Sequence, residues 1–162
     1  MVEAFRYNKW ANLHVLAVCA GLSAEQLRLS SPGTYGSVAD TLLHLFGAEQ
    51  RYIRRLTGAE PRISEKDQFP GIAALIEVAQ QNSDELIRLA GQTRPEDKLD
   101  TSYGEKRYRM DAGVVLLQAV HHGNDHRTHI CTILGAHGIE CGAMDVWAYG
   151  NASGAMVPVA AS

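Results

Sequence analysis

The chain has little of what would fix its class at once. Its three cysteines, Cys19, Cys131 and Cys141, are odd in number and show no CxxC spacing, so neither a disulfide framework nor a cysteine-based structural zinc site is indicated. A reducing cytoplasm fits that usage. No run reaches the ~18 uninterrupted apolar residues of a membrane span. The opening stretch MVEAFRYNKWANLHVLAVC scatters charges among its apolar residues and lacks a small-residue cleavage site, and no signal peptide is read there. Neither sign of charge dominates: 15 Lys+Arg face 18 Asp+Glu, a formal net charge of −3, which argues against nucleic acid as a partner. Internal repeats and low-complexity tracts are also missing.

The 162 residues, 46% hydrophobic and 20% charged, describe a soluble single domain over residues 1–162. A chain of that size buries a core without disulfides or metal. Any metal it binds is therefore expected to serve function and not folding.

Hydrophobic periodicity divides the chain into four long helical segments separated by Pro/Gly/Ser/Asp-rich joints, which predicts an all-α fold, a four-helix bundle. The first helix runs from about Val2 to Ala20, with Phe5, Trp10, Leu13, Leu16 and Ala17 on one stripe and Gly21 as its stop. Ser23 and Gln26 are placed to cap a short helical turn. Ser37 is an N-cap for the second helix, with Asp40 three residues on and Gly58 past its end. Leu42, Leu45, Phe46, Glu49, Tyr52, Ile53 and Leu56 then share a broad face, and His44 lies close to its edge. A third helix carries Ile72, Leu75, Ile76, Ala79, Leu86 and Leu89. Residues 92–110 are charged, with Ser-Tyr-Gly at their middle, and read as an extended crossover or a weak hairpin. A fourth helix begins near Asp111 and ends near Gly138. Beyond it lie Trp147 and Tyr149, then a small-residue tail from about residue 150 to 162 that is expected to fray.

The fourth helix contains HHGNDHRTH, residues 121–129, in a chain with seven histidines altogether. Residues four apart on a helix stand one turn above each other, so His122 and His126 can offer two imidazoles to one ion. His129 continues the stripe, which runs through Ala119 and Val115 and on to Ile130 and Ile133, on the face turned toward the core. Buried imidazoles need partners, and neutral imidazole is a common ligand of zinc, nickel, copper and iron. A histidine at such spacing also pairs readily with a carboxylate or stays at the surface. The competing register, His121 with Asp125, falls on a face that looks solvated. His44 is the sole histidine of the second helix, and ligands in bundles converge from facing helices. One distant histidine plus an i,i+4 pair gives three nitrogens with positions left open, the arrangement of a reactive site; a core histidine bonded to a carbonyl is the plainer reading of His44. Glu49 lies about 140° further round the helix than His44, too far to share its ion. His14 and His137 have no partner at ligand spacing. Tyr7, Trp10, Trp147 and Tyr149 are candidate pocket walls, although aromatics at helical spacing more commonly serve a core.

Taken together, YNKWAN in the first helix, GSVADTLLHLFGAEQRYIRRLTG in the second, AVHHGNDHRTHI in the fourth and the late DVWAY resemble the DinB-like (damage-inducible) family over nearly the whole chain. The resemblance implies a DinB/YfiT-like metalloenzyme fold with a three-histidine site whose ligands match His44, His122 and His126. Arg127 completes the family's HxxxHR. Where the family commonly carries Asn before the first of those fourth-helix histidines and Gln three residues after the second, this chain has His121 and His129. Arg127 and His129 are thus candidates for supporting the site or binding substrate. The resemblance further implies a divalent metal cofactor, zinc or nickel, in a hydrolase or a thiol-dependent S-transferase that uses a low-molecular-weight thiol, with a small-molecule substrate and a homodimeric assembly. A non-catalytic metal- or ligand-binding protein of the stress response is the alternative, and a purely structural helical dimer is a third reading.

Overall fold

The structure, a computed structural model, describes residues 1–159. It is mostly helical: α1 spans Val2–Ala20, α2 Val38–Thr57, α3 Ile72–Gln92, α4 Ala112–Ala136 and α5 Val146–Ser153, with a short 3₁₀ turn at Gln26–Arg28. No described helix is long and apolar enough to cross a membrane. Of the two readings of the charged crossover, an extended segment or a weak hairpin, the structure has the hairpin. Strands β1 (Lys98–Tyr103) and β2 (Lys106–Asp111) pair antiparallel with Lys98 opposite Asp111 and Tyr103 opposite Lys106. Gly104 turns between them at φ 58°, a conformation that glycine adopts without Cβ strain. Arg109 holds Asp100 across the strands through two hydrogen bonds of 2.7 and 2.8 Å.

The helix ends follow local chemistry. Ser37 Oγ accepts from the Asp40 N–H at 3.1 Å while the Asp40 carboxylate accepts from the Ser37 N–H at 3.2 Å, a reciprocal cap that fixes where α2 starts. Gly58, at φ 79°, lets the chain leave α2 in the left-handed region. Asp145 caps α5, which continues through Ser153, so residues 150–153 are helical where the tail was expected to begin.

Helix α1 packs on α3 and α4, and α2 packs on the same two from the other side. Their contacts form two apolar clusters. One gathers Val15, Leu16, Leu42, Phe46, Leu75, Ile130 and Ile133; the other gathers Phe5, Tyr52, Leu86, Leu116 and Ala119. Between them lies a polar layer to which every long helix contributes. In α1 it is Asn8 and Asn12, in α2 Glu49, in α3 Asn82 and in α4 Arg127, all nearly or fully buried. The Glu49 carboxylate accepts hydrogen bonds from Asn8, Asn12 and Asn82 at 3.1, 2.8 and 3.2 Å. Arg127 donates to the side-chain oxygens of the same Asn8 and Asn12 at 2.8 and 2.5 Å, and to that of Asn124 at 2.6 Å. Two asparagines therefore carry the interaction between a buried anion and a buried cation. Burial raises the Glu49 carboxyl above its ordinary range and lowers the Arg127 guanidinium, so neither charge is tolerable without the other's bridge.

Gly123 exists for this layer. A Cβ there would sit 2.5 Å from Asn8 Oδ1 and 2.8 Å from Arg127 Nη1. Alanine in place of helical glycine ordinarily gains about 1 kcal/mol in propensity. Overpacking a filled core costs about 1–3 kcal/mol, and here the displaced groups are hydrogen-bonded charges. Gly123→Ala is expected to destabilise the protein by up to about 2 kcal/mol net, read as a lowered urea midpoint with an unchanged slope.

Candidate metal centre

Helices α2 and α4 pack face to face beside the polar layer, and their meeting brings His44, His122 and His126 together. One ring nitrogen of each lies within 4.8 Å of the others. Nε2 of His44 and Nε2 of His122 are 3.0 Å apart. Ring centroids are separated by 4.2 Å for His122 and His126 and by 4.6 Å for His44 and His126. The i,i+4 pair and the distant histidine thus converge.

The ring of His44 is oriented from outside. Its Nδ1 lies 2.5 Å from Oε2 of Glu65, and Arg51 reaches the same oxygen at 3.2 Å. A carboxylate can only accept, so the neutral ring carries its proton on Nδ1 and points the Nε2 lone pair at the cluster. Burial pushes the Glu65 carboxyl up, but the His44 hydrogen bond and the Arg51 charge outweigh it and hold the group below the usual carboxylate range. Glu65 was not foreseen, because it is one of several acids in the polar loop after α2 and no spacing distinguishes it. The legible signal was Gly47, a lone glycine inside the apolar stripe of α2. A Cβ there would meet the Glu65 backbone nitrogen at 3.0 Å, so this glycine lets the loop lie against the helix. Gln50 holds the same loop by accepting the Arg62 N–H at 2.8 Å.

Aromatic rings pack on the histidines. Tyr35 stacks on His44 with centroids 3.9 Å apart and meets His126 edge-on at 5.3 Å. Tyr52 meets His122 edge-on at 5.7 Å. The aromatics proposed as walls from the sequence lie elsewhere. Tyr7 and Tyr149 form a separate small cluster with Ala11, Trp10 packs against it, and Trp147 is 73% exposed.

The remaining histidines sort plainly. His129 stands 5.2 Å from His126, next to the group of three but outside it. His121 and Asp125 pair at 3.0 Å on the solvent face, where the competing register was expected to fall, and outside the group of three. His14 bonds the Cys141 carbonyl and His137 the Ile133 carbonyl, both at 2.8 Å. Arg127, adjacent in sequence to His126, has its guanidinium taken up by asparagines. It reaches Glu49 through Asn8 and Asn12 and not by direct contact.

The cluster fits a cation. Nδ1 of His122, of His126 and of His129 is buried without a hydrogen-bond partner, so the protein's own groups do not satisfy these rings. Burial, followed by the neighbouring imidazoles His126 and His44, lowers His122 to about 3, and burial followed by His44 lowers His126 to about 4. Both are neutral at neutral pH, the form that ligates. Three imidazole nitrogens suit a borderline ion such as zinc or nickel and leave coordination positions open.

Those depressed values fix a pH dependence. In the unfolded chain the imidazoles protonate near 6.5, whereas the folded rings resist until about 4 and about 3. Over that interval the unfolded state binds more protons, so acidification favours unfolding, and the contribution is fully present only above about pH 6.5. The thermal midpoint of chelator-treated protein is expected to fall between about pH 6.5 and 3, and less steeply for His122→Gln. A flat profile would mean that the folded rings take up protons freely.

A model of the DinB family matches residues 1–155, a span that includes every helix, the hairpin and all three clustered histidines. A search of curated proteins finds no match. The family match and the helical architecture agree over almost the full length, and the chain belongs to the DinB family.

Proposed function

We propose that the protein is a DinB/YfiT-like four-helix bundle in which His44, His122 and His126 hold one divalent ion, zinc or nickel, and that it is a metal-dependent enzyme of hydrolase or thiol-dependent S-transferase type. The observation that carries this reading is the convergence of three ring nitrogens from two helices to within 4.8 Å. When bound, such an ion lowers the pKa of a coordinated thiol or water and so supplies a nucleophile near neutral pH. The chain's own contribution is to orient and to exclude. Glu65 fixes the His44 tautomer, Tyr35 and Tyr52 restrict ring rotation, and burial keeps His122 and His126 unprotonated. The proposal extends to a cytoplasmic homodimer acting on a small molecule, with a low-molecular-weight thiol as co-substrate and neither nucleic acid nor membrane as partner.

A second reading, a non-catalytic metal- or ligand-binding protein, has one observation in its favour. Among the described residues the group of potential ligands contains imidazoles alone, and the nearby buried acid Glu49 is occupied by three asparagines. The other acid beside the cluster, Glu65, is engaged by His44 and Arg51, so neither carboxylate is free to act as a general base. Elemental analysis of protein purified without a histidine tag, followed by a thiol-transfer screen, separates the two: metal with turnover supports the enzyme, and metal without turnover supports the binding protein.

His44→Ala, His122→Ala and His126→Ala are each expected to abolish stoichiometric metal while helical circular dichroism stays near native, because the core does not need the ion. His121→Ala should keep its metal. Retention by His122→Ala with loss in His121→Ala would reverse the register of α4. Glu65→Gln is expected to weaken metal affinity about 10–100-fold, as loss of a carboxylate behind a ligating histidine typically does; competition with a chromogenic chelator measures it.

A further inference from the structure

A cavity of about 530 Å³ lies between α2, α4 and the hairpin, within the roughly 300–1,000 Å³ of small-molecule sites. Its lining is divided by chemistry. Arg51 and Arg55, one turn apart on α2, bring two guanidinium groups, while Met110, Val114 and Val115 bring an apolar wall. Among the described residues no acidic one lines it. That contrasts with the cavity of about 480 Å³ between α2 and α3, where Arg62 and Arg88 are accompanied by Glu60, Asp84 and Glu85. The protein as a whole is acidic, with formal charge −3, so a cavity with cations and no acids is a local feature and not a general bias.

The cavity also adjoins the histidines. Tyr52 lines it and meets the His122 ring edge-on at 5.7 Å. Gln118 lines it one helical turn before His122, and Arg51 lines it while bonding the Glu65 that orients His44. Arg51 is thereby partly neutralised. Among the described residues no carboxylate pairs with Arg55, whereas its neighbour Arg54 is matched by Glu60 at 3.0 Å. Val114 is 57% exposed, an apolar surface that a ligand would cover.

We propose that this cavity binds an amphipathic organic carboxylate, its acid group held by Arg55 with Arg51 and its apolar body laid against Met110, Val114 and Val115, next to the three-histidine centre. The inference deepens the proposed function by naming the substrate class, and rests on that reading for the cavity's role in a reaction. Guanidinium recognises carboxylate through paired donors, and an apolar wall excludes the water that would screen them.

Isothermal calorimetry of full-length, tag-free protein with 4-phenylbutanoate and its neutral amide, 4-phenylbutanamide, tests it. The acid is expected to bind at least about tenfold more tightly than the amide, and Arg55→Gln to lose about tenfold for the acid alone, as for hydrogen bonds to charged groups. Val114→Glu, at an exposed position, should weaken both probes, through the lost apolar contact, and the acid more than the amide, through charge repulsion. Equal binding of acid and amide, or unchanged affinity in Arg55→Gln, overturns the proposal. Metal content measured on the same samples keeps the two readings apart. A His122→Ala protein without metal that still prefers the acid supports the cavity independently of the ion. Metal-loaded protein that binds neither probe sinks the cavity while leaving the metal centre standing.

Discussion

The buried layer of Glu49, Asn8, Asn12, Asn82 and Arg127 is the interaction on which the rest of the molecule depends. Apolar side chains would let the four long helices slide or rotate against one another at small cost, since volume and patterning are their main demands. Hydrogen bonds to a carboxylate and a guanidinium in a dry interior do not permit that. Glu49 accepts from α1 and α3, and Arg127 donates to α1, so each helix has one height and one rotation at which the layer closes. Gly123 marks how tightly, because even a methyl group would come within 2.5 Å of an asparagine oxygen.

The histidine cluster inherits that precision. Glu49 lies five residues beyond His44 on α2, and Arg127 immediately follows His126 on α4. Fixing the first member of each pair's helix against the other sets three imidazoles opposite one another without any of them serving the core. A second chain of contacts runs from the layer to the orienting carboxylate: Asn82 accepts from Gln50 at 2.5 Å, Gln50 holds the Arg62 amide, and the loop then places Glu65 on His44. Scaffold and site are therefore continuous. His122 and His126 end largely buried, neutral and with Nδ1 unpaired, a condition that costs stability unless a cation supplies what the protein withholds.

Much of this was legible in the sequence, for identifiable reasons. Helix ends at Ser37 and Gly58 follow from capping chemistry that acts over four residues, and the i,i+4 spacing of His122 and His126 follows from helix geometry. His44 could be nominated because it borders an apolar face and resembles a family ligand. Contacts between segments distant in sequence left weaker traces. Glu65 and Tyr35 lie in loops, where no period links them to the helices they touch. Glu49 stood visibly in an apolar stripe, yet its asparagine partners, at helical positions on α1 and α3, look like any polar surface residue until the helices are packed. The hairpin of residues 98–111 was open between two readings: Leu99 and Thr101 on one strand and Tyr108 and Met110 on the other do alternate with charged residues, but each strand is only six residues long, too short for the alternation to decide.

The central claim is that one divalent ion sits among His44, His122 and His126, bound by nitrogen. X-ray absorption at the metal edge of tag-free protein tests it most directly, since nitrogen and sulfur ligands differ in distance and scattering. For zinc, the account predicts about one ion per chain with three imidazole nitrogens at about 2.0–2.1 Å and lighter oxygen scatterers completing the shell. Sulfur scatterers at about 2.3 Å would point to Cys19, Cys131 or Cys141 and contradict it, as would protein that stays metal-free after equilibration with zinc and nickel.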